Sequence, residues 1–205
     1  MEPIGHEGLG RLLKLEEDLH TPHIVFSKEY LTESPDLNST GTITIGKLFD
    51  LPPTPMGLDS DKEPYLQLSR DIAVLDNASS LKPEKIVEIA SKFREEAGYS
   101  RLIYAPAVEP SVMPILAYLG VDIFDDLNVE LRSSTGWALD GGEWTKQPQI
   151  EDLFSHNRAE LSRWILKIRN AIGNGKLREL VEITSLHNPR AVSYTHLTLP
   201  TICSV

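Results

Sequence analysis

The feature that most constrains this chain is the stretch from Asp71 to Asp126, where short apolar runs alternate with helical patterns. Ile72-Ala73-Val74-Leu75 is unbroken apolar sequence closing on Asp76-Asn77, as a strand buried on both faces requires. Pro83 suits the first turn of a helix, and Ile86, Ile89, Ala90, Phe93 and Ala97 then recur at helical spacing until Gly98. Leu102 to Val108 predicts a second strand. Ser111 is placed to cap a short helix that tolerates Pro114 in its first turn, turns Ile115, Leu116 and Leu119 inward and stops at Gly120. Val121 to Phe124 predicts a third strand, closing on Asp125-Asp126. The order βαβαβ calls for parallel strands joined by right-handed crossovers. The expected fold is therefore α/β.

The flanks are read more coarsely. Gly8 to Phe26 alternates loosely and predicts one or two strands, and Ser27 to Arg70 reads as loop with a strand near Thr42 to Leu48. Leu51-Pro52-Pro53-Thr54-Pro55 is no element interior. After Leu127, a connector containing Gly136, Trp137 and Trp144 leads to a strong helix. Asn157 with Glu160 has the form of a capping box, Leu161, Trp164, Ile165, Ile168 and Ile172 make the apolar stripe, and Gly173-Asn174-Gly175 ends it. A second helix is expected from Lys176 to about Ser185. The expected organisation is an α/β unit over residues 1–127 and a helical subdomain over 128–191.

The last fourteen residues break the pattern. Val192 to Val205 carry no charge and hold the chain's single cysteine, Cys203. Val-Ser-Tyr-Thr-His-Leu-Thr-Leu-Pro-Thr is also the translation, in one frame, of a transposon-end adaptor used in sequencing libraries. The tail is therefore read as adaptor-derived, with the natural gene expected to continue past Ala191. Without it no cysteine is left, so disulfides and cysteine-ligated zinc are excluded for residues 1–191. No apolar run approaches the roughly 18 to 20 residues of a membrane span, and a cytoplasmic setting is expected. Of the net charge of −10, residues 1–70 carry 6 basic and 12 acidic side chains, 71–127 carry 5 and 10, and 128–191 carry 9 and 8. A polyanion would meet repulsion over the first two segments, so any nucleic-acid contact must be local.

Ligands collect at the C-terminal ends of parallel strands, and here those ends offer Asp76, Asn77, Glu109, Asp125 and Asp126. Converging carboxylates suit acid/base or nucleophilic work, because crowding raises one pKa; the same residues equally suit helix caps or a solvated loop. His20 and His23 have a chelating spacing but no evident third ligand. Gly136, Gly141 and Gly142 lack the strand-before, helix-after setting of a phosphate loop. Trp137, Trp144 and Tyr104 can stack on bases or simply pack. Arg163, Lys167 and Asn170 share one helix face, with Lys176 and Arg178 just beyond; it is the phosphate-facing surface to consider, or merely a solvated one.

Leu102-Ile103-Tyr104-Ala105-Pro106-Ala107-Val108, the short helix, and Gly120-Val121-Asp122-Ile123-Phe124-Asp125 together resemble the last strands of the tRNA-guanine transglycosylase barrel. His156-Asn157, the long helix and Gly175-Lys176-Leu177-Arg178-Glu179-Leu180-Val181-Glu182 are similar to the helical segment that follows it in archaeal members. Leu9-Gly10-Arg11-Leu12 and His20-Thr21-Pro22 resemble the opening strands. The resemblance covers most of residues 8–190, in patches. It implies a reduced barrel, tRNA as partner, and Asp125 at the position of the nucleophile that takes the ribose through a covalent intermediate.

The departures from the family are specific. There is no room before Ile72 for the strands carrying the second catalytic Asp and the base pocket, and Asp140 to Phe154 stand where the zinc cysteines would be. No cofactor or metal is expected in this chain. The pattern looks more like the archaeosine synthase family, whose catalytic Cys and Lys motif and RNA-binding domain lie C-terminal to this part and which modifies 7-cyano-7-deazaguanine in the tRNA D-arm. The expected activity is tRNA modification, with little or none in this chain alone. A guanine-exchanging transglycosylase using Asp125, and a non-catalytic tRNA-binding subunit, are the alternatives; a homodimer is compatible with each.

Overall fold

The computed structural model describes residues 2–15, 19–26, 43–45, 49–51, 65–68, 71–76, 83–147 and 149–187. Asn77 and the tail from Val192 lie outside these residues. Three short strands open the chain: β1 (Glu2–Glu7), β2 (Gly10–Lys14) and β3 (His23–Val25). Then come β4 (Ile43–Ile45), β5 (Phe49–Leu51), β6 (Tyr65–Leu68), β7 (Ile72–Asp76), α1 (Pro83–Ala97) and β8 (Leu102–Tyr104). A 3₁₀ turn, Pro110–Val112, leads to α2 (Met113–Tyr118), β9 (Ile123–Asp125), α3 (Leu127–Ser134), β10 (Trp137–Asp140), β11 (Glu143–Lys146), α4 (Leu153–Gly173) and α5 (Leu177–His187).

The central sheet runs β3-β9-β8-β7-β6. β7, β8 and β9 are parallel, as the alternating pattern requires, and β3 joins the far edge in the same direction, with His23 opposite Ile123 and Val25 opposite Asp125. β6 runs antiparallel to β7. The apolar run of β7 splits between two cores: Ala73 and Leu75 pack with Ile103, Phe124 and the helices, while Ile72 and Val74 pack with Leu13, Val25, Leu102 and Ile123 on the other face. Both faces are covered, which is why the run does not alternate with polar residues.

Several details differ from the sequence expectation. Gly8 to Phe26 holds two strands as expected, β2 and β3, but β2 pairs antiparallel with β1, which precedes that stretch. β4 lies where a strand near Thr42 to Leu48 was expected, and β5, in the stretch read as loop, pairs antiparallel with it; Trp137 to Trp144 lies in the β10–β11 hairpin, not an open connector. The segment after Leu127 begins with a helix, α3. Ser111 is not the cap of α2: it lies in the 3₁₀ turn, and α2 starts at Met113 with no side-chain cap. The second strand ends at Tyr104, and the third starts at Ile123 and includes Asp125.

The capping box at Asn157 is also corrected. α4 begins four residues earlier, where the Asp152 carboxylate accepts from the backbone N–H of Ser155 at 3.0 Å. Asn157 is fully buried inside the helix, and its amide knits three elements together. Its Oδ1 accepts from Leu139 N at 2.7 Å, while its Nδ2 donates to Trp137 O at 2.8 Å and Ser133 Oγ at 2.9 Å. The stripe from Leu161 to Ile172 is buried as expected and shares one core cluster with the sheet.

Candidate functional site

Asp125 ends β9 and is 2% exposed. Its carboxylate accepts from Tyr104 Oη at 2.7 Å, from Ala107 N at 3.0 and 3.1 Å, and from Leu127 N at 3.2 Å. Ala107 sits at φ +53°, a strained conformation for a residue with a Cβ; its N–H is bound by the Asp125 carboxylate and its carbonyl accepts from Asn128 Nδ2 at 2.7 Å. The bond to Leu127 N also satisfies one free N–H at the start of α3, so the capping oxygen comes one residue before the helix's own cap position, Asp126. Burial pushes the Asp125 carboxyl up to about 6, against the opposing pull of its bonds to Tyr104, Ala107 and Leu127; nearby Asp126 adds to the rise.

Asp126 is buried too, with Arg158 Nε at 3.5 Å. That guanidinium lies over the Phe26 ring at 4.1 Å and near Phe154 at 5.6 Å. Glu109 turns elsewhere: its carboxylate accepts from Arg132 Nη2 at 2.8 Å and Trp144 Nε1 at 2.6 Å. Arg132 in turn lies 5.8 and 5.9 Å from the Trp137 and Trp144 rings, and Lys146 Nζ lies 5.4 Å from Trp137. Each of these acids is thus engaged by its own partners. Tyr104 is 3% exposed and its hydroxyl is given to Asp125, so it is a core residue. Asp76 is placed at the end of β7.

Another buried carboxylate lies at the opposite, N-terminal end of the strands and was not singled out by the sequence reading. Asp122, 1% exposed, accepts from Arg11 Nε at 3.1 Å and Nη2 at 2.6 Å, from Arg94 Nη2 at 2.7 Å and from Ile103 N at 2.9 Å. Arg94 also donates to the carbonyls of Gly98, Arg101 and Gly120. This is a structural knot: two cations and one anion, tied to backbone, lock α1 and β2 to the start of β9.

On α4 the basic face is partly compensated. Arg163 pairs with Glu160, and Lys167 Nζ lies 5.0 Å from the Trp164 ring. On α5, Arg178 Nε reaches Glu182 at 3.1 Å, while Lys176 is exposed. Among the described residues no group of three His, Cys, Asp or Glu is arranged to hold a metal ion. His23 instead faces a cation: Arg169 Nη2 lies 3.3 Å from its Nδ1, and burial with that charge pushes the imidazole down to about 4. A shallow cleft of about 310 Å³ opens nearby, with Leu12, His20, Leu166, Arg169 and Asn170 among its walls. Sequence reading missed Arg169 because it borders the apolar stripe, four residues after Ile165 and three before Ile172. A lone cation at that border is the signal that could have found it.

No family model matches the chain. It is 34% identical over 121 residues to the archaeosine synthase of Methanocaldococcus jannaschii, a match covering 58% of this chain and 21% of that protein. The chain is archaeosine-synthase-like. It is likewise 29% identical over 114 residues to the archaeosine synthase subunit alpha of Thermoplasma acidophilum, over 54% of this chain and 22% of that one. The matched part spans about a fifth of the length of these curated archaeosine synthases. No helix among the described residues is long and apolar enough to cross a membrane.

Proposed function

We propose that this chain is the transglycosylase-like part of an archaeosine synthase, a reduced barrel acting on 7-cyano-7-deazaguanine in the D-arm of tRNA. In this reading the reacting groups come from sequence outside residues 1–191. The observation that carries the reading is the 34% identity over 121 residues to an archaeosine synthase. tRNA as the partner follows from that likeness.

The surroundings of Asp125 favour this reading over guanine exchange. A carboxylate that attacks an anomeric carbon needs a lone pair open to the substrate. Both oxygens of Asp125 are instead committed to Tyr104, Ala107 and Leu127 under a nearly closed surface, and a glycosyl adduct would break those bonds. Asp125 is therefore a residue that positions the β8 turn and α3.

The test uses the uninterrupted protein with tRNA carrying 7-cyano-7-deazaguanine. The expected result is formation of archaeosine, retained in Asp125→Asn, with no covalent tRNA adduct in either protein. Were Asp125 the nucleophile, the substitution would cost on the order of 10⁴-fold and abolish an adduct trappable in the parent. Failure of the parent protein to form archaeosine sinks the whole reading.

A further inference from the structure

In an acidic chain, the arginines of the described residues mostly find acids. Arg11 and Arg94 meet Asp122, Arg132 meets Glu109, Arg158 meets Asp126, Arg163 meets Glu160 and Arg178 meets Glu182. Arg169 meets none. Its Nε donates to Pro22 O at 2.6 Å and its Nη2 approaches His23 Nδ1 at 3.3 Å. A guanidinium can only donate, so Nδ1 accepts and is unprotonated. Nη1 carries no bond among the described residues. Arg169 is thus a half-buried cation fixed at two of its three nitrogens by neutral acceptors, with the third left over. Burial alone lowers its pKa, with no carboxylate to offset the loss of water.

Arg169 lines the 310 Å³ cleft together with Asn170, Asn174, His20, Leu12 and Leu166. The volume is at the small end of ligand pockets. The end of α4 closes one side, where a helix C-terminus would ordinarily repel an anion. Here three of its last carbonyls are already taken: Asn170 O, Ile172 O and Ala171 O accept from the N–H groups of Asn174, Gly175 and Lys176 at 3.0, 3.1 and 2.7 Å. The cleft also continues a line already on the helix surface, since Arg163, Lys167, Asn170 and Asn174 succeed one another at helical spacing along α4.

We propose that this cleft is a phosphate subsite for an RNA backbone, with Arg169 Nη1 and the Asn170 and Asn174 amides donating to the non-bridging oxygens of one phosphodiester. The proposal rests on the tRNA reading above and names the surface that serves it. Arginine suits the role because its other nitrogens are already anchored, so little freedom is lost when the phosphate arrives. The same oxygens could come from free phosphate, and the test separates the two sources.

Fluorescently labelled tRNA is titrated onto the 205-residue chain across a salt series, alongside Arg169→Gln and Asn170→Asp, with thermal melts of all three. Sodium phosphate is titrated separately onto ¹⁵N-labelled protein. Asn170 is exposed, so its aspartate variant leaves the Pro22 and His23 anchors of Arg169 in place if the glutamine variant fails to fold. The expected result is about tenfold weaker tRNA binding in each folded variant. The log–log salt slope should fall by about 1 in Arg169→Gln, and phosphate should shift the Arg169 Nε–H signal. Undiminished tRNA binding in Asn170→Asp and any folded Arg169 variant overturns the subsite and leaves the tRNA reading standing. A phosphate-induced shift at Arg169 without any tRNA binding overturns the RNA assignment, and with it the tRNA role of this chain. No shift and no tRNA binding overturns both.

Discussion

Asp125, buried, and His23, half-buried, give the chain opposing responses to acid. Asp125 has a folded-state pKa of about 6 against 3.8 for the free group, so the folded state holds a proton that the unfolded chain has lost. Its contribution is fully present below about pH 4 and disappears as the pH rises to 6. His23 does the reverse: with a folded pKa of about 4 against 6.5, it resists a proton that the unfolded chain takes up, so stability is lost as the pH falls from 6.5 to 4. The two slopes largely cancel in the parent. Asp125→Asn should therefore expose a stability that climbs between pH 4 and 6.5, and His23→Gln one that declines over the same window; urea denaturation at half-unit pH steps reads both. A third residue, Asp122, acts through its ion pairs with Arg11 and Arg94. Asp122→Ala leaves the buried Arg94 guanidinium without its anion and should cost about 3–5 kcal/mol, read from the denaturation midpoint.

Among elements, α4 shows what periodicity carries and what it hides. The stripe from Leu161 to Ile172 was legible because burial repeats every three or four residues. The start was not, because Asn157 and Glu160 have the spacing of a cap while Asp152 supplies the real one. Nothing local separates the two; what decides is that the Asn157 amide meets Trp137, Leu139 and Ser133, partners distant in sequence. Asp152→Ala should cost about 1 kcal/mol. Asn157→Leu should cost more, about 2–4 kcal/mol, since it strands the buried N–H of Leu139 and the carbonyl of Trp137. The α3 helix was missed because Asn128, Ser133 and Ser134 dilute its apolar signal to the buried Val129. The β10–β11 turn has a similar logic. Gly142 has φ +92°, and a Cβ there would lie 2.7 Å from the Trp164 ring, so Gly142→Ala should lower the melting temperature by several degrees.

For the molecule as a whole, the parallel arrangement of β7, β8 and β9 was readable from composition and order alone, because crossover geometry leaves few choices. The fourth parallel strand, β3, was not, since pairing with β9 depends on residues a hundred positions away. The same limit applied to the candidate site. Asp125 was found from its place after an apolar run, but its commitment to Tyr104, Ala107 and Leu127 is a fact of three dimensions. Net charge behaves likewise: a value of −10 argues against broad contact with nucleic acid, while an arginine lacking an acid among the described residues, Arg169, becomes visible only once six others have been matched to theirs.

The edge pairing of β3 with β9 also bears on how the chain is made. Residues 23–25 leave the ribosome about a hundred residues before 123–125, so the first of these strands must wait several seconds, at ordinary translation speeds, for the neighbour that covers it. During that interval Ile24 and Val25 are unsheathed apolar residues, and synonymous codons that slow synthesis between the two would lengthen their exposure.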